Sequence, residues 1–346
     1  MKNIVKNQYK YNNYSFSRHL LLAFILLFAA SGNCIAKNSS QSDRFIVHLT
    51  ESNDTLGSLA EKYLGSADNS WLIAEYNNIS KVLPGRLLVI PKGPVDLNRI
   101  TEEGFHVVPV LCYHRFSDKA AGNKMNMPPE KFRQQMQYLK DNGYVTLSAR
   151  QMVDYLAGRF STPKKAVFIT MDDGYRSVYT EAFPILKSLG FKATLFIYPT
   201  FISTGKAALT WAQLNEMLDY GFDVGAHTMT HGDLIARPLE PARQYEKRLR
   251  KEVFEPKMIL EKKLETEVIT FAYSFGNYDE AVMRAVADAG YEAAFTVVRG
   301  SSPNFQWPFL VKRSQIYPNL TMSAFKQNLK TFHKFKIPWK QYITAK

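Results

Sequence analysis

Ala166-Val167-Phe168-Ile169-Thr170-Met171-Asp172-Asp173-Gly174 is the stretch on which the reading of this 346-residue chain turns. An apolar run leads without a spacer into two carboxylates, and a glycine follows that allows a sharp exit. Around it, from Val107 onward, short apolar runs alternate with longer amphipathic stretches. That βα pattern predicts parallel strands covered by helices. Because successive side chains of a strand diverge, the adjacent acids Asp172 and Asp173 can address different objects, one a metal and the other a substrate or water. Taken alone, Asp-Asp-Gly also suits a turn or a helix cap.

Seven strands are expected: Val107–Tyr113, Ala166–Met171, Ala193–Tyr198, Phe222–Ala226, Val268–Tyr273, Ala293–Val297 and Leu310–Ile316. Helical patterns separate them at Glu130–Asn142, Tyr179–Leu189, Trp211–Tyr220, Tyr245–Leu264 and Asp279–Ala289. Two further clusters follow strand ends. His227-Thr228-Met229-Thr230-His231 places two of the chain's 7 histidines four apart, on one side if the loop makes a helical turn. Imidazole is a preferred ligand of zinc and neighbouring transition metals. Two histidines and one carboxylate leave a coordination position open, as a catalytic metal site requires; a structural site closes with four ligands. Phe271-Ala272-Tyr273-Ser274-Phe275-Gly276 is the third cluster. In parallel barrels and sheets, ligands bind at the carboxyl ends of the strands, where all three clusters fall.

Composition bounds the rest. With 46% hydrophobic and 22% charged residues the chain is globular. The 44 Lys and Arg against 31 Asp and Glu give a net charge of +13, which suits anionic surroundings without choosing among nucleic acid, membrane surface and cell-wall polymer. The only cysteines, Cys34 and Cys112, argue against a structural disulfide. Residues 1–36 have the basic start, apolar stretch Leu20–Ala30 and small-residue end of an export signal. An uncleaved anchor or a lipid on Cys34 is the alternative and the one expected membrane contact. Export disfavours nucleic acid, for which the chain has no recognition motif. Residues 37–43 read as a linker, 44–92 as a strand-helix-helix-strand unit, 93–104 as a second linker, and 321–346 as a basic terminal helix and tail.

Within 44–92, Asp54-Thr55-Leu56, Ala60, Tyr63-Leu64-Gly65, Trp71, Ile73, Asn77 and Pro84-Gly85-Arg86-Leu87-Leu88-Val89-Ile90-Pro91 together resemble a LysM module. That resemblance implies binding of N-acetylglucosamine-containing glycans. Over roughly residues 105 to 320, Val110-Leu111-Cys112-Tyr113-His114, Asp172-Asp173-Gly174, Ala193-Thr194-Leu195-Phe196, Thr210-Trp211 and His227-Thr228-Met229-Thr230-His231 resemble the polysaccharide deacetylases of the NodB-homology family, carbohydrate esterase family four. The resemblance implies an α/β fold, a distorted (β/α) barrel of about seven parallel strands, and hydrolysis of N-acetyl groups from amino-sugar polymers.

The resemblance further implies that Asp173, His227 and His231 hold a divalent metal, zinc first and cobalt, nickel or iron as alternatives. Asp172 becomes the general base and the backbone N–H of Phe275 an oxyanion donor. Many relatives open the third motif with an arginine that orients the base; Phe271 stands there instead, as in the Phe-Ala-Tyr-Pro-Tyr/Phe-Gly form of poly-N-acetylglucosamine deacetylases. Many also carry a late Leu-x-His that supplies the general acid, whereas this chain reads Leu310-Val311-Lys312-Arg313. His114 is the candidate substitute. The expected activity is removal of N-acetyl groups from an N-acetylglucosamine-containing polysaccharide of the cell envelope or outside the cell. A peptidoglycan or chitin-oligomer deacetylase, and a glycan-binding envelope protein with a weakened site, are the alternatives.

Overall fold

A computed structural model describes residues 39–41, 45–92, 100, 103–118 and 125–334. The export signal read over residues 1–36, with Cys34, lies outside the described residues, as does the end of the basic tail. Among the described residues no helix is long and apolar enough to cross a membrane.

Six strands, Val108–Tyr113, Ala166–Asp173, Thr194–Ile197, Asp223–Ala226, Thr270–Ala272 and Ala293–Phe295, pair in parallel in chain order. The seventh, Ser314–Gln315, pairs in parallel with Leu111 and Cys112 at the first strand. Val311, just before it, bridges Phe295 at the opposite edge. One short segment thus draws both edges of the sheet together, and the architecture is the expected distorted (β/α) barrel of seven parallel strands. Helices Pro129–Asp141, Ala149–Leu156, Phe183–Leu189, Trp211–Asp219, Ala242–Leu264 and Glu280–Asp288 cover it. Ser148 with Gln151 and Thr210 with Gln213 form capping boxes that satisfy first-turn N–H groups.

Every residue of Ala166–Asp173 is buried, as expected for a strand covered on both faces. Alternate positions separate. Val167, Ile169 and Met171 join Leu111, Tyr113, Leu195 and Ile197 in the core beneath the helices. Ala166 and Phe168 join Val110, Phe196, Ala272, Phe295 and Val311 in a second cluster that fills the barrel. Asp172 continues that inner file two residues beyond Thr170.

The small unit has its own core of Ile46, Leu59, Ala60, Ile73, Val82, Leu88 and Ile90. Strands Phe45–Leu49 and Leu87–Pro91 pair antiparallel, and helices Leu56–Leu64 and Ser70–Asn77 lie between them in sequence. Asn77 ties helix to strand: its Nδ2 donates to Ile73 O and Val89 O, and its Oδ1 accepts the Val89 N–H. Against the barrel, Trp71 meets Phe160 edge-on at 6.2 Å and Glu75 accepts the Lys164 N–H at 2.7 Å.

Two segments differ from expectation. Within the stretch read as a linker, Ser39–Gln41 pairs with Ile46–His48 and adds an edge strand. Within the stretch read as helix and tail, helix Met322–Gln327 is followed by strand Phe332–Lys334, which pairs with Gly104–His106. The first extends a sheet edge and the second makes a separate two-stranded sheet; both satisfy backbone groups, which composition does not report.

Gly225 lies in register with Phe196, and a Cβ there would stand 2.5 Å from the Phe196 ring and 2.6 Å from Thr270 Oγ1. Gly225→Ala is expected to destabilise the fold by about 1–3 kcal/mol through overpacking. Thermal unfolding monitored by circular dichroism should register this as about 2–4 °C per kcal/mol.

Candidate active site

The inner file of the barrel ends in a charge. Asp172 is buried, and its Oδ1 accepts a hydrogen bond from Arg313 Nη1 at 2.7 Å. Arg313 is itself fully buried; its Nε donates to Thr296 O at 2.9 Å and its Nη1 also reaches Thr170 Oγ1 at 3.3 Å. Burial alone would push the Asp172 carboxyl up, but the Arg313 cation, with His227 and His114, outweighs it and holds Asp172 well below the ordinary carboxylate range. Asp172 is therefore ionised inside the barrel. Arg313, directly before the closing strand, thus sets a guanidinium on Asp172, whereas Phe271 offers none. In the sequence it is one of two adjacent cations, Lys312 and Arg313, in the run that closes the barrel.

Asp173 leaves the alternating pattern. Its φ of 77° is the left-handed region that non-glycine residues rarely adopt, and it turns the strand into its exit at Gly174. Asp173 Oδ1 is buried without a hydrogen-bond partner among the described residues. His231 Nε2 lies 3.3 Å from this oxygen and His227 Nε2 lies 3.5 Å away. His227 Nδ1 donates to Ala272 O at 2.8 Å; because a carbonyl only accepts, the other nitrogen, Nε2, carries the lone pair facing Asp173. Burial lowers both imidazoles. Burial also pushes Asp173 up to about 6, opposed by His227 and reinforced by Asp172.

One atom from each of Asp173, His227 and His231 thus lies within 4.8 Å of the others. Neutral imidazoles, a carboxyl penalised for its charge and an orphaned buried oxygen together fit a divalent cation, which would reverse each cost.

The remaining expected residues converge here. His114 Nε2 is 3.9 Å from Asp172 Oδ2, beyond hydrogen-bond distance. Burial lowers its imidazole, against the pull of Asp172. Cys112 Sγ donates to the same oxygen at 3.5 Å, a contact that no sequence pattern predicts. Phe275, at φ 59°, sets its ring 4.7 Å from that of His231 and remains 59% exposed. From there an aromatic rim continues through Tyr198, Phe201 and Tyr175, with ring centroids 5.2–5.4 Å apart. Arg115 stacks its guanidinium 4.0 Å over Tyr175.

Comparison with known proteins agrees with this geometry. Residues 160–294 match the family model for polysaccharide deacetylase. YxkH of Bacillus subtilis (strain 168), assigned to the polysaccharide deacetylases, is 31% identical over 218 residues, covering 63% of this chain and 74% of that protein. The poly-beta-1,6-N-acetyl-D-glucosamine N-deacetylase of Escherichia coli (strain K12) is 24% identical over 257 residues, 64% of this chain but only 38% of that longer protein. Among solved structures, the Streptococcus pyogenes deacetylase PplD in complex with acetate superposes with a TM-score of 0.60 at 28% identity, over 65% of this chain and 98% of that one. With its parallel barrel, its acid and histidine clusters at the strand ends and these relatives, the chain belongs to the polysaccharide deacetylase family.

Proposed function

We propose that this deacetylase is metal-dependent and removes N-acetyl groups from a poly-N-acetylglucosamine-type polymer of the cell envelope or outside the cell. The observation that carries this reading is the buried, unbonded Asp173 Oδ1 facing two imidazole nitrogens, beside an Asp172 kept ionised by Arg313. The name borne by the Escherichia coli relative and the Phe271-Ala272-Tyr273-Ser274-Phe275-Gly276 motif support that polymer. So does the aromatic rim, whose faces suit the apolar faces of sugar rings. Residues 44–92 would hold the glycan near the barrel, and the segment 1–36 would export the chain.

Asp173, His227 and His231 would hold the metal, zinc in the first instance. When bound, a divalent cation acidifies water and polarises the acetamide carbonyl. Asp172 takes the proton from the attacking water, and Arg313 keeps the carboxylate ionised and aimed. The backbone N–H at Phe275 donates to the developing oxyanion, a contribution of roughly 3 kcal/mol. The proton gained by Asp172 passes to His114, neutral at rest, and the resulting imidazolium protonates the departing nitrogen as the C–N bond breaks. Asp172 and His114 both return to their resting states, so the net transfer is from water to amine, with acetate released.

Acetate release measured on poly-N-acetylglucosamine, peptidoglycan and chitin oligomers tests the substrate, with the highest kcat/KM expected on the first. A preference for either of the others would overturn that assignment. Chelation should abolish activity and zinc or cobalt restore it, while His227→Ala and His231→Ala should each lose stoichiometric metal; full metal content and turnover in either variant would refute the ligand set. Asp172→Asn should keep metal yet lose about 10²- to 10⁴-fold in kcat, the range of general-base assistance. Because Arg313 acts through Asp172, Arg313→Met should add little further loss in the Asp172→Asn background. Additive losses would show that the two side chains work separately.

A further inference from the structure

The five-residue motif that supplies two candidate metal ligands is not held by its own backbone alone. Glu252, buried in helix Ala242–Leu264, faces it. Its Oε2 accepts the N–H groups of Met229 at 3.0 Å and Thr230 at 2.9 Å, and its Oε1 accepts the Thr230 hydroxyl at 2.7 Å. These donors lie between His227 and His231. One helical turn earlier, Arg248 donates to Asp233 O at 2.6 Å and Ile235 O at 2.9 Å, and pairs with Glu240. The same helix therefore grips the loop on both sides of His231. Gly232 leaves room for this approach, since a Cβ there would stand 3.2 Å from Thr230 Oγ1 and 3.5 Å from the Glu252 carboxyl.

The loop needs an outside hold because it is strained. Thr228 has φ 64° and His231 φ 58°, and each left-handed non-glycine residue costs on the order of 1–3 kcal/mol unless its surroundings over-determine it. Thr228 is also β-branched, which makes that region less favourable still. Three hydrogen bonds converging on one buried carboxyl group supply such an over-determination, because releasing the loop would leave that group without partners.

We propose that Glu252 is a positioning residue of the metal site: by fixing the backbone between His227 and His231 it sets how tightly the metal is held. The proposal rests on the reading of Asp173, His227 and His231 as metal ligands. Partners behind metal ligands typically change affinity by 10- to 100-fold. Glutamine can reproduce the bonding, with its oxygen accepting both N–H groups and its amide donating to the Thr230 hydroxyl. Aspartate is a methylene too short, and alanine removes the bonding altogether.

The test is the zinc dissociation constant of the full chain, measured by competition with a chromophoric chelator, beside amide hydrogen exchange at Met229 and Thr230 in the metal-free protein. Glu252→Ala and Glu252→Asp, each verified as folded by circular dichroism, should bind zinc about 10- to 100-fold more weakly than wild type and lose protection at both amides. Glu252→Gln should remain within about threefold of wild type and keep the protection. Folded alanine and aspartate variants with wild-type zinc affinity would overturn the proposal alone, as would a glutamine variant as weak as alanine. A wild-type chain that binds no zinc would overturn the ligand assignment and, with it, the proposal, while the exchange data would still report whether the loop is held.

Discussion

The constraint on which the catalytic end of this barrel depends is the ion pair between Arg313 and Asp172. Both groups are buried, so each has given up its hydration, and only a partner at close range offsets that cost. The pair does so at 2.7 Å, and Arg313 anchors elsewhere to Thr296 O. Losing one member of such a pair typically costs 3–5 kcal/mol because the other is left charged and unpaired. Arg313 lies between Val311, which bridges Phe295, and Ser314, which pairs with Leu111. Drawing the sheet edges together and fixing the Asp172 carboxylate are consequently one event: a barrel left open along this seam would lose both.

Two neighbouring acids then acquire opposite characters from their surroundings. Asp172 faces a guanidinium inside the barrel and stays ionised, whereas Asp173 faces uncharged imidazoles and is pushed up to about 6. Environments that push two carboxyl groups apart mark a division of labour. The ionised member keeps its charge through the Arg313 contact, and the penalised member has the most to gain from a cation. Strand alternation already separates the directions of Asp172 and Asp173 in the sequence, and the fold adds the difference in their electrostatics.

That difference explains what the sequence disclosed. The strands were legible because parallel strands buried on both faces are continuous apolar runs, and Asp172, Asp173, His227 and His231 were legible because they stand where those runs stop. His114 and Phe275 were found by motif. No motif marks Arg313, since the late Leu-x-His of many relatives falls on Leu310-Val311-Lys312, one residue before it. The arginine that occupies the neighbouring position performs a different task, reaching from the last strand to the end of the second across 141 residues of sequence. Glu252 was hidden for another reason. In Leu249-Arg250-Lys251-Glu252-Val253 it looks like one more solvated helix charge, and only packing shows that it belongs to the buried stripe with Leu249 and Val253. Ser39–Gln41 and Phe332–Lys334 show no pattern because their pairing is decided by backbone groups elsewhere in the chain.

Strain identifies the same region without any motif. The described residues include eight non-glycine positions at positive φ, and four of them, Asp173, Thr228, His231 and Phe275, fall in the three clusters at the strand ends. A relaxed strand end would send Asp173 to the face opposite Asp172, and a relaxed loop would not return His231 to within 3.3 Å of the Asp173 carboxyl. Each departure places a donor where regular geometry would not, and each is opposed by a cost that regular structure avoids. What offsets those costs is visible beside them: the Ala272 carbonyl on His227, the Ser274 hydroxyl on Thr228, and the Glu252 carboxyl on Met229 and Thr230. These supports come from the fifth barrel strand, the turn after it and a helix outside the sheet, so the site is held from several sides rather than by its own loops.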